Sequence, residues 1–171
     1  SFRSTAGGIS GKSSSKSIRN RTWNDSTRYQ TPLSNFDIIK KLNDVAGFRG
    51  VFSKDELDDV PAGGSCVVNI ENFNDGSGTH WVAVYDNNYF DSFGLPPSDL
   101  IKKYIFKKFE KINYSSNQLQ PIGTSACGYY CIMFVRQMSR GDLDFLKFIL
   151  QFDKQPSHAN DEIAVNFCKS I

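Results

Sequence analysis

The chain has 171 residues, of which 39% are hydrophobic and 22% are charged, a balance that is ordinary for one soluble globular domain. No apolar stretch approaches the roughly 18 residues of a membrane span, and the N-terminal residues lack the apolar region of a secretory signal. These features exclude a membrane span and a secretory leader at the level of the sequence, so we expect an intracellular setting with reduced thiols.

The net charge of +2 is distributed unevenly along the chain. Residues 1–28 carry six bases and one acid, whereas the remaining residues carry 14 bases and 17 acids. This basic, Ser/Gly-rich segment is compatible with a solvated tail, with a contact to DNA or another acidic partner, and with packing onto the domain. We expect packing, because Trp23 and Tyr29 offer apolar anchors. The predicted organisation is an extension at 1–32, closed by Pro32, and one domain at 33–171.

The first predicted elements are two capped helices and a strand. "LSNFDIIKKLNDVAGFRG" begins with Ser34 as an N-cap, has apolar residues at helical spacing and stops at Gly47. A second capping pattern starts at Ser53 and predicts a short helix or turn that ends before Pro61. "GSCVVNIENF" at 64–73 is rich in β-branched residues and predicts a strand.

The middle of the chain predicts a β-hairpin followed by a helix. "HWVAVY" and "YFDSF" indicate two strands on either side of "DNN". Ser98 is the expected N-cap of the following helix. The predicted apolar face of that helix consists of Leu100, Ile101, Ile105, Phe106 and Phe109.

The last third predicts a short strand at "NQLQPI" and then three helices. The first is a buried helix that includes "ACGYYCIMFV" and ends at Gly141, the second is capped by Asp142 or Asp144, and the third covers "NDEIAVNFCKS". Strands therefore cluster between helices. The predicted fold class is α+β, with a small, central, mostly antiparallel sheet flanked by helices.

Cys127 lies at or near the start of the predicted buried helix. There the helix dipole and unpaired N–H groups stabilise a thiolate, which is the competent nucleophile. Gly128 removes a side chain beside the sulfur and leaves space for an approaching backbone. Considered alone, such a cysteine is more often a small buried hydrophobe. Cys131 lies one turn deeper and is assigned to the core, and Cys66 and Cys168 are expected to be structural or incidental.

A cysteine nucleophile needs a base, and the chain has two histidines. His158 lies in the polar stretch "QPSHAND", where a solvated surface residue is the better interpretation. His80 precedes an apolar strand and is the candidate base. Asp91 lies between aromatics in "YFDSF", where a carboxylate needs a partner such as imidazole. A cap or turn residue at the strand end is the alternative for Asp91.

Gln120 precedes Cys127 by seven residues and could donate a side-chain N–H to the oxyanion that forms when cysteine attacks an amide. Gln118 is a weaker candidate for this position, and the backbone N–H of Cys127 could be a second donor. No cysteine or histidine spacing predicts a metal site.

The spacing of His80 and Asp91 presents a geometric problem. A tight turn centred on Asn87 places Gly94 opposite His80 and leaves Asp91 roughly 10 Å away along the strand. Pairing His80 with Asp91 needs a wide loop over about 83–88. We expect the wide loop, because the aspartate between aromatics is otherwise unexplained.

Taken together, His-Trp, the acid in "FDSFG" and Gln-x6-Cys-Gly resemble adenovirus protease (adenain) and the wider group of ubiquitin-like-protein proteases. The resemblance covers residues 35–140 or so and is strongest to maturation proteases of virophages, Polinton-type elements and large DNA viruses. It implies a cysteine endopeptidase that cuts after Gly-Gly-type sites, with His80 as base, Asp91 as orienting acid, Gln120 as oxyanion donor and Cys127 as nucleophile. It also implies a monomer that acts on capsid or core precursors inside the virion or host cell.

Other functions remain open at this stage. An isopeptidase that removes a ubiquitin-like modifier would use the same four residues, and a related acyltransferase is a weaker possibility. A non-catalytic nucleic-acid-binding or scaffold protein would use the basic extension. No cofactor is required by the sequence. Adenain is stimulated by DNA and by a disulfide-linked peptide, so activation of this chain by DNA or a peptide stays open. No residue here matches the peptide-linking cysteine with certainty, and the basic extension could replace either activator. The "STAGGIS" stretch at 4–10 could be a self-processing site, a mimic of product or part of a plain flexible tail.

Overall fold

The computed structural model describes residues 30–71, 74 and 80–171. Its helices and strands confirm the predicted α+β fold class. The elements in chain order are α1 (Asn35–Leu42), β1 (Phe48–Ser53), a 3-10 helix (Lys54–Asp59), β2 (Ser65–Asn69), β3 (Trp81–Tyr85), β4 (Asn88–Phe90), α2 (Asp99–Phe106), β5 (Asn113–Tyr114), α3 (Cys127–Arg140), α4 (Phe145–Ile149) and α5 (His158–Lys169).

The five strands form one sheet in the order in which they occur in the chain. The β2–β3 and β3–β4 pairs are antiparallel, whereas β1–β2 and β4–β5 are parallel. The expectation of a mostly antiparallel sheet is therefore wrong, because two of its four pairings are parallel. The 3-10 helix connects β1 to β2 and α2 connects β4 to β5, and such crossovers place successive strands in the same direction.

Helices cover both faces of the sheet. Val67, Ala83 and Phe90 face the larger core, which also contains residues of α1, α3, α4 and α5. The alternate side chains of the same strands, including Cys66, Val82 and Tyr89, pack with α2 and the 3-10 helix in a second core. This alternation follows from the period of two in a strand. Helix α3 lies centrally in the larger core and contacts β3.

Three aromatic rings fix the end of β4 against the helices. Phe90, Phe134 and Phe148 lie with ring centroids 5.1–5.2 Å apart in each pair. Such stacked and edge-to-face pairs add stability beyond the burial of their area. Since Phe90 directly precedes Asp91, this cluster sets the position from which the chain leaves the sheet.

The predicted caps agree with the structure, whereas several other element predictions are wrong. Ser34 and Ser53 both form capping boxes, and Ser98 caps α2. Strand β1 was not predicted, and residues 117–122 form no strand. In α2 the buried residues are Ile101, Tyr104 and Ile105, while the predicted face residues Leu100 and Phe106 are 38% and 52% exposed. The buried residues have the i, i+3, i+4 spacing of one helical face, and Leu100 and Phe106 lie to either side of that face.

Residues 1–29 lie outside the described part of the chain. Several expectations therefore stay predictions: the packing of the basic extension, its DNA contact, self-processing in "STAGGIS", and the division into an extension at 1–32 and a domain at 33–171. Within the described ranges, no helix combines the length and apolar character needed to cross a membrane.

Candidate active site

Helix α3 begins at Cys127, as the sequence predicted. Its N-cap is Ala126, which offers no side-chain oxygen to the helix, and the first turn contains no acidic residue. In the described chain the backbone N–H of Cys127 donates to no acceptor. The positive end of the helix dipole is therefore not neutralised by a local cap. This arrangement stabilises negative charge on the sulfur and on an oxygen that forms beside it.

His80 and Asp91 form a buried pair beside this helix. The Nε2 atom of His80 lies 2.7 Å from Oδ1 of Asp91, and both residues are 5% exposed. The same Oδ1 accepts the backbone N–H of Phe93 at 2.8 Å. The carboxylate is thus oriented by its own turn as well as by the imidazole, which fixes the ring that it contacts.

Cys127 interacts with the same imidazole. Burial alone lowers the pKa of His80, but the hydrogen bonds and charges of Asp91 and Cys127 outweigh it and raise this pKa to about 9. Since Nε2 faces Asp91, the ring nitrogen left for Cys127 is Nδ1. The structure therefore brings His80, Asp91 and Cys127 together in the order acid, imidazole, sulfur, with the imidazole charged at neutral pH.

The hairpin reaches this geometry by a route that differs from the predicted one. Its strand pairs are Ala83–Phe90, Val84–Tyr89 and Tyr85–Asn88, so the turn at 86–87 is tight. The predicted wide loop over 83–88 is wrong. The hydrogen bond between His80 and Asp91 forms because β4 ends at Phe90 and the chain turns at once, with the N–H of Gly94 donating to the carbonyl oxygen of Asp91 at 2.9 Å.

The observed register also explains the position of Phe93. If the hairpin ladder continued, His80 would lie opposite residue 93. The Phe93 ring stacks on the His80 imidazole with a centroid distance of 4.6 Å and an interplanar angle of 29°. An aromatic face beside an imidazolium is favourable. The sequence pattern indicates Asp91 in "FDSF" but does not reveal the contact of Phe93 with His80.

Gln120 is fully buried near the triad but forms no hydrogen bond with it in the described chain. Its Oε1 accepts the hydroxyl of Ser92 at 2.6 Å, and its Nε2 donates to the carbonyl and the hydroxyl of Thr124 at 2.9 and 3.0 Å. Ser92 is adjacent to Asp91, and Thr124 lies three residues before Cys127. To donate to an oxyanion, Nε2 of Gln120 would have to give up one of its two hydrogen bonds to Thr124. The role of Gln120 as oxyanion donor therefore stays a prediction. Gln118 donates to the backbone carbonyl of Gln120.

The other cysteines differ from Cys127 in their surroundings. Cys131, Cys66 and Cys168 are buried, and burial raises the pKa of Cys131 well above its usual value and those of Cys66 and Cys168 to about 12. These thiols stay protonated at neutral pH. The expectation that Cys131 belongs to the core is confirmed.

His158 was expected in a polar loop, but the structure places it in a helix. It is the first residue of α5, and its Nδ1 is buried without a hydrogen-bond partner in the described chain. The preceding Ser157 caps the helix, and this cap was not recognised in the sequence.

A short segment before α1 fills the space that was expected beside Gly128. A β-carbon at Gly128 would lie 3.1 Å from Cβ of Leu33 and 3.4 Å from Cδ1 of Trp81. The indole N–H of Trp81 donates to the carbonyl of Leu33 at 2.9 Å, and the hydroxyl of Tyr129 donates to the carbonyl of Thr31 at 3.4 Å. Gly128 therefore allows close packing of the chain on α3, and it does not leave an open approach at this position.

No family model matches the chain, and no curated protein matches it. Among solved structures, it is similar to the crystal structure of the ASFV pS273R protease, with a TM-score of 0.53 and 18% identity over 80% of this chain and 67% of that one. A crystal structure of the selenomethionine form of that protease aligns with a TM-score of 0.40 and 22% identity, over 58% of this chain and 42% of that one. The similarity to the first structure shows a shared fold: an α+β sheet flanked by helices, as in a viral protease.

Proposed function

We propose that the chain is a cysteine endopeptidase with Cys127 as nucleophile, His80 as general base and acid, and Asp91 as the group that orients His80. The observation that carries this proposal is the buried 2.7 Å contact between His80 and Asp91, on an imidazole that also interacts with a cysteine at the start of a helix. The similarity to the fold of the ASFV protease supports it independently.

The arrangement supports a thioester mechanism. The Cys127 thiolate attacks the carbonyl carbon of the scissile amide, and the amide π electrons move to the oxygen. The backbone N–H of Cys127 and, after exchange of one bond, Gln120 donate to that oxyanion. His80 then protonates the leaving amine as the C–N bond breaks. Water, deprotonated by His80, hydrolyses the thioester and restores the thiolate and the imidazolium.

For the substrate, we propose capsid or core precursors cleaved after Gly-Gly-type sites. The motifs around His80, Asp91 and Cys127 resemble those of maturation proteases with this specificity. The shared fold with a viral protease supports the same class of substrate. The site of action would then be the virion or the host-cell interior, with the chain acting as a monomer and without a required cofactor.

The test is cleavage of a precursor peptide that contains Gly-Gly, compared for the wild type, Cys127→Ala and Cys131→Ala. We expect Cys127→Ala to abolish cleavage and keep the fold, because it removes only a sulfur atom from the end of a helix. Cys131→Ala should retain cleavage per folded molecule and lose on the order of 1 kcal/mol or more of stability, as for small core truncations. Calorimetry and single-turnover assays measure the two effects.

Two results would contradict the proposal. Full cleavage by Cys127→Ala would exclude this cysteine as the nucleophile. Cleavage of a ubiquitin-like protein fusion without cleavage of capsid precursors would retain the chemistry and assign the substrate to an isopeptidase.

A further inference from the structure

The first turn of α5 contains two adjacent polar residues, Asn160 and Asp161, and neither is exposed to solvent. Buried polar groups are costly unless they are hydrogen-bonded. Asn160 contacts the residue before Gln120, and Asp161 contacts α3, the helix that begins at Cys127. The mechanism described above uses neither of them.

Asn160 fixes the residue before Gln120. Its Nδ2 donates to the carbonyl oxygen of Leu119 at 3.1 Å and to two carbonyls of the segment that precedes α5, and its Oδ1 accepts the N–H of Asp153 at 2.7 Å. Both the N–H and the oxygen side of its amide are therefore hydrogen-bonded to the backbone of these turns. The approach of the chain to Gln120 is thus tied to α5.

Asp161 contacts α3, which follows the segment that contains Gln120. Its Oδ1 accepts the hydroxyl of Tyr130 at 2.7 Å. Tyr130 lies on α3 one turn after Cys127, and it is also fully buried. The hydroxyl of Thr124, which accepts the Gln120 amide, lies near enough to Asp161 to lower its pKa. The carboxylate therefore contacts the helix that begins at Cys127 directly and lies near the residue that holds the Gln120 amide.

The cost of this arrangement argues for a role beyond packing. Burial raises the pKa of Asp161, and its Oδ2 has no hydrogen-bond partner in the described chain. A buried carboxylate with one free oxygen is weak evidence for stability, since apolar residues of similar volume are often as stable in such a place. What an apolar residue could not do is accept the hydrogen bond of the Tyr130 hydroxyl, which belongs to the helix that carries Cys127.

We propose that Asp161 is a positioning residue for the oxyanion site. It acts through Tyr130 to fix the start of α3 relative to the amide of Gln120, which Thr124 holds. This inference rests on the proposed peptidase function. It predicts that loss of the carboxylate displaces an oxyanion donor while the cysteine and the imidazole keep their positions.

The test compares Asp161→Asn with Glu162→Gln, the matched control one residue along the same helix. Asparagine keeps the oxygen that accepts the Tyr130 hydroxyl but presents an N–H group in place of the second oxygen. We expect kcat for peptide cleavage to fall about tenfold to a hundredfold. Loss of one oxyanion donor lowers kcat by about 10²–10³-fold, and here the Gln120 donor would be displaced rather than lost. KM should change less than about threefold, and Glu162→Gln should match the wild type.

Two further measurements separate positioning from a loss of structure. Alkylation of Cys127 by iodoacetamide occurs at a saturated carbon and forms no oxyanion, so its rate in Asp161→Asn should stay at the wild-type value. In a Gln120→Ala background, Asp161→Asn should cause no additional loss of kcat, because both changes would act on the same donor. If Asp161→Asn does not fold, Tyr130→Phe replaces it in the same cycle, with a smaller loss of kcat that also disappears in Gln120→Ala.

Each outcome has a defined meaning. A wild-type kcat in Asp161→Asn, a parallel loss of alkylation and cleavage, or additive losses with Gln120→Ala would each overturn the inference. Failure of the peptidase proposal itself is seen separately, since the wild type would then cleave no peptide or Cys127→Ala would remain active.

Discussion

Asp91 has two hydrogen-bond partners on one oxygen, and this explains how an acid outside the β-ladder orients the imidazole. Its Oδ1 accepts from the Phe93 N–H and contacts His80 Nε2. The turn holds the carboxylate even when the imidazole is neutral. The Phe93 ring covers one face of that imidazole. His80 is therefore restrained by a carboxylate at its edge and an aromatic ring on its face, and it has little freedom to rotate away from Cys127.

The first prediction concerns the pH dependence of wild-type activity. His80 must be protonated to give a proton to the leaving amine, and its pKa is raised from 6.5 to about 9. We expect kcat/KM to fall as the pH rises through about 9. The raised pKa of His80 also stabilises the folded state. This contribution is fully present below about pH 6.5 and is lost as the pH rises through about 9.

In Asp91→Ala the main cause that raises the His80 pKa is removed, while burial still lowers it. We expect kcat to fall by orders of magnitude, as after loss of a triad acid, and the alkaline limb of the kcat/KM profile to move to lower pH. Asp99→Ala, at an exposed position in α2, is the control. A wild-type kcat in Asp91→Ala would show that the orienting group is another residue.

At the scale of elements, the hairpin β3–β4 depends on its turn. Asp86 has a φ of 51°, the one positive value among the described non-glycine residues. Aspartate tolerates this left-handed region better than most residues. Its N–H donates to the Gly64 carbonyl at 2.7 Å, and its Oδ1 accepts the Gly64 N–H at 2.9 Å. The turn is thus tied to the chain that enters β2.

The third prediction follows from these two bonds. Asp86→Ala removes the acceptor of the Gly64 N–H and keeps the left-handed conformation without a polar side chain, so we expect a loss of about 1–3 kcal/mol. Asp86→Asn retains an oxygen acceptor and should stay within about 0.5 kcal/mol of the wild type. Urea denaturation at equilibrium measures both. Equal midpoints for the alanine and asparagine variants would contradict this account of the turn.

At the scale of the whole molecule, the chain before α1 is part of the active-site surroundings. The Leu33 side chain packs on Gly128, its carbonyl accepts the Trp81 indole, and Thr31 accepts the Tyr129 hydroxyl. These contacts tie β3, next to His80, to the start of α3. Residues 31–33, at the predicted boundary of extension and domain, therefore contact the strand that follows His80 and the helix that begins at Cys127.

A pair of deletions tests this dependence. Removal of residues 1–28 leaves the contacts of Thr31 and Leu33 intact, so cleavage should persist, and a lower melting temperature would support packing of the basic extension. Removal of residues 1–33 also takes away the acceptor of Trp81 and the packing on Gly128, and we expect cleavage to be lost or strongly reduced. Equal activities of the two truncated chains would contradict the importance of this segment.

The same pair of chains, compared with the full chain, tests DNA binding. Six bases in residues 1–28 would release counterions from DNA, so affinity carried by them should decrease steeply between low and moderate salt. We expect no such binding if the extension packs on the domain. Tight, salt-sensitive binding by the full chain alone would favour DNA as its partner.

The sequence singled out His80, Asp91 and Cys127 because each carries a local signal: a histidine before an apolar strand, an acid between aromatics and a cysteine at a helix start. Strand β1 was missed because "FRGVFS" contains Arg49 and Gly50 and pairs in parallel with β2, which local patterns do not reveal. The hairpin register was wrong because the turn at 91–94 was not recognised. Asp161 gave only the signal of an acid in a first helical turn, and its hydrogen bond with Tyr130 depends on tertiary packing.

The tight hairpin also has a consequence for the order of folding. His80 and Asp91 are 11 residues apart and are joined by a two-residue turn, so their contact is local and closes quickly. Cys127 reaches them only when α3 docks on β3, a contact of much greater sequence separation. We expect the acid–base pair to form first and the sulfur to become reactive last. Pulses of iodoacetamide during refolding would then label Cys127 rapidly only after the hairpin amides are protected from hydrogen exchange, and the proteolytic activity of a new chain would be delayed until its core is complete.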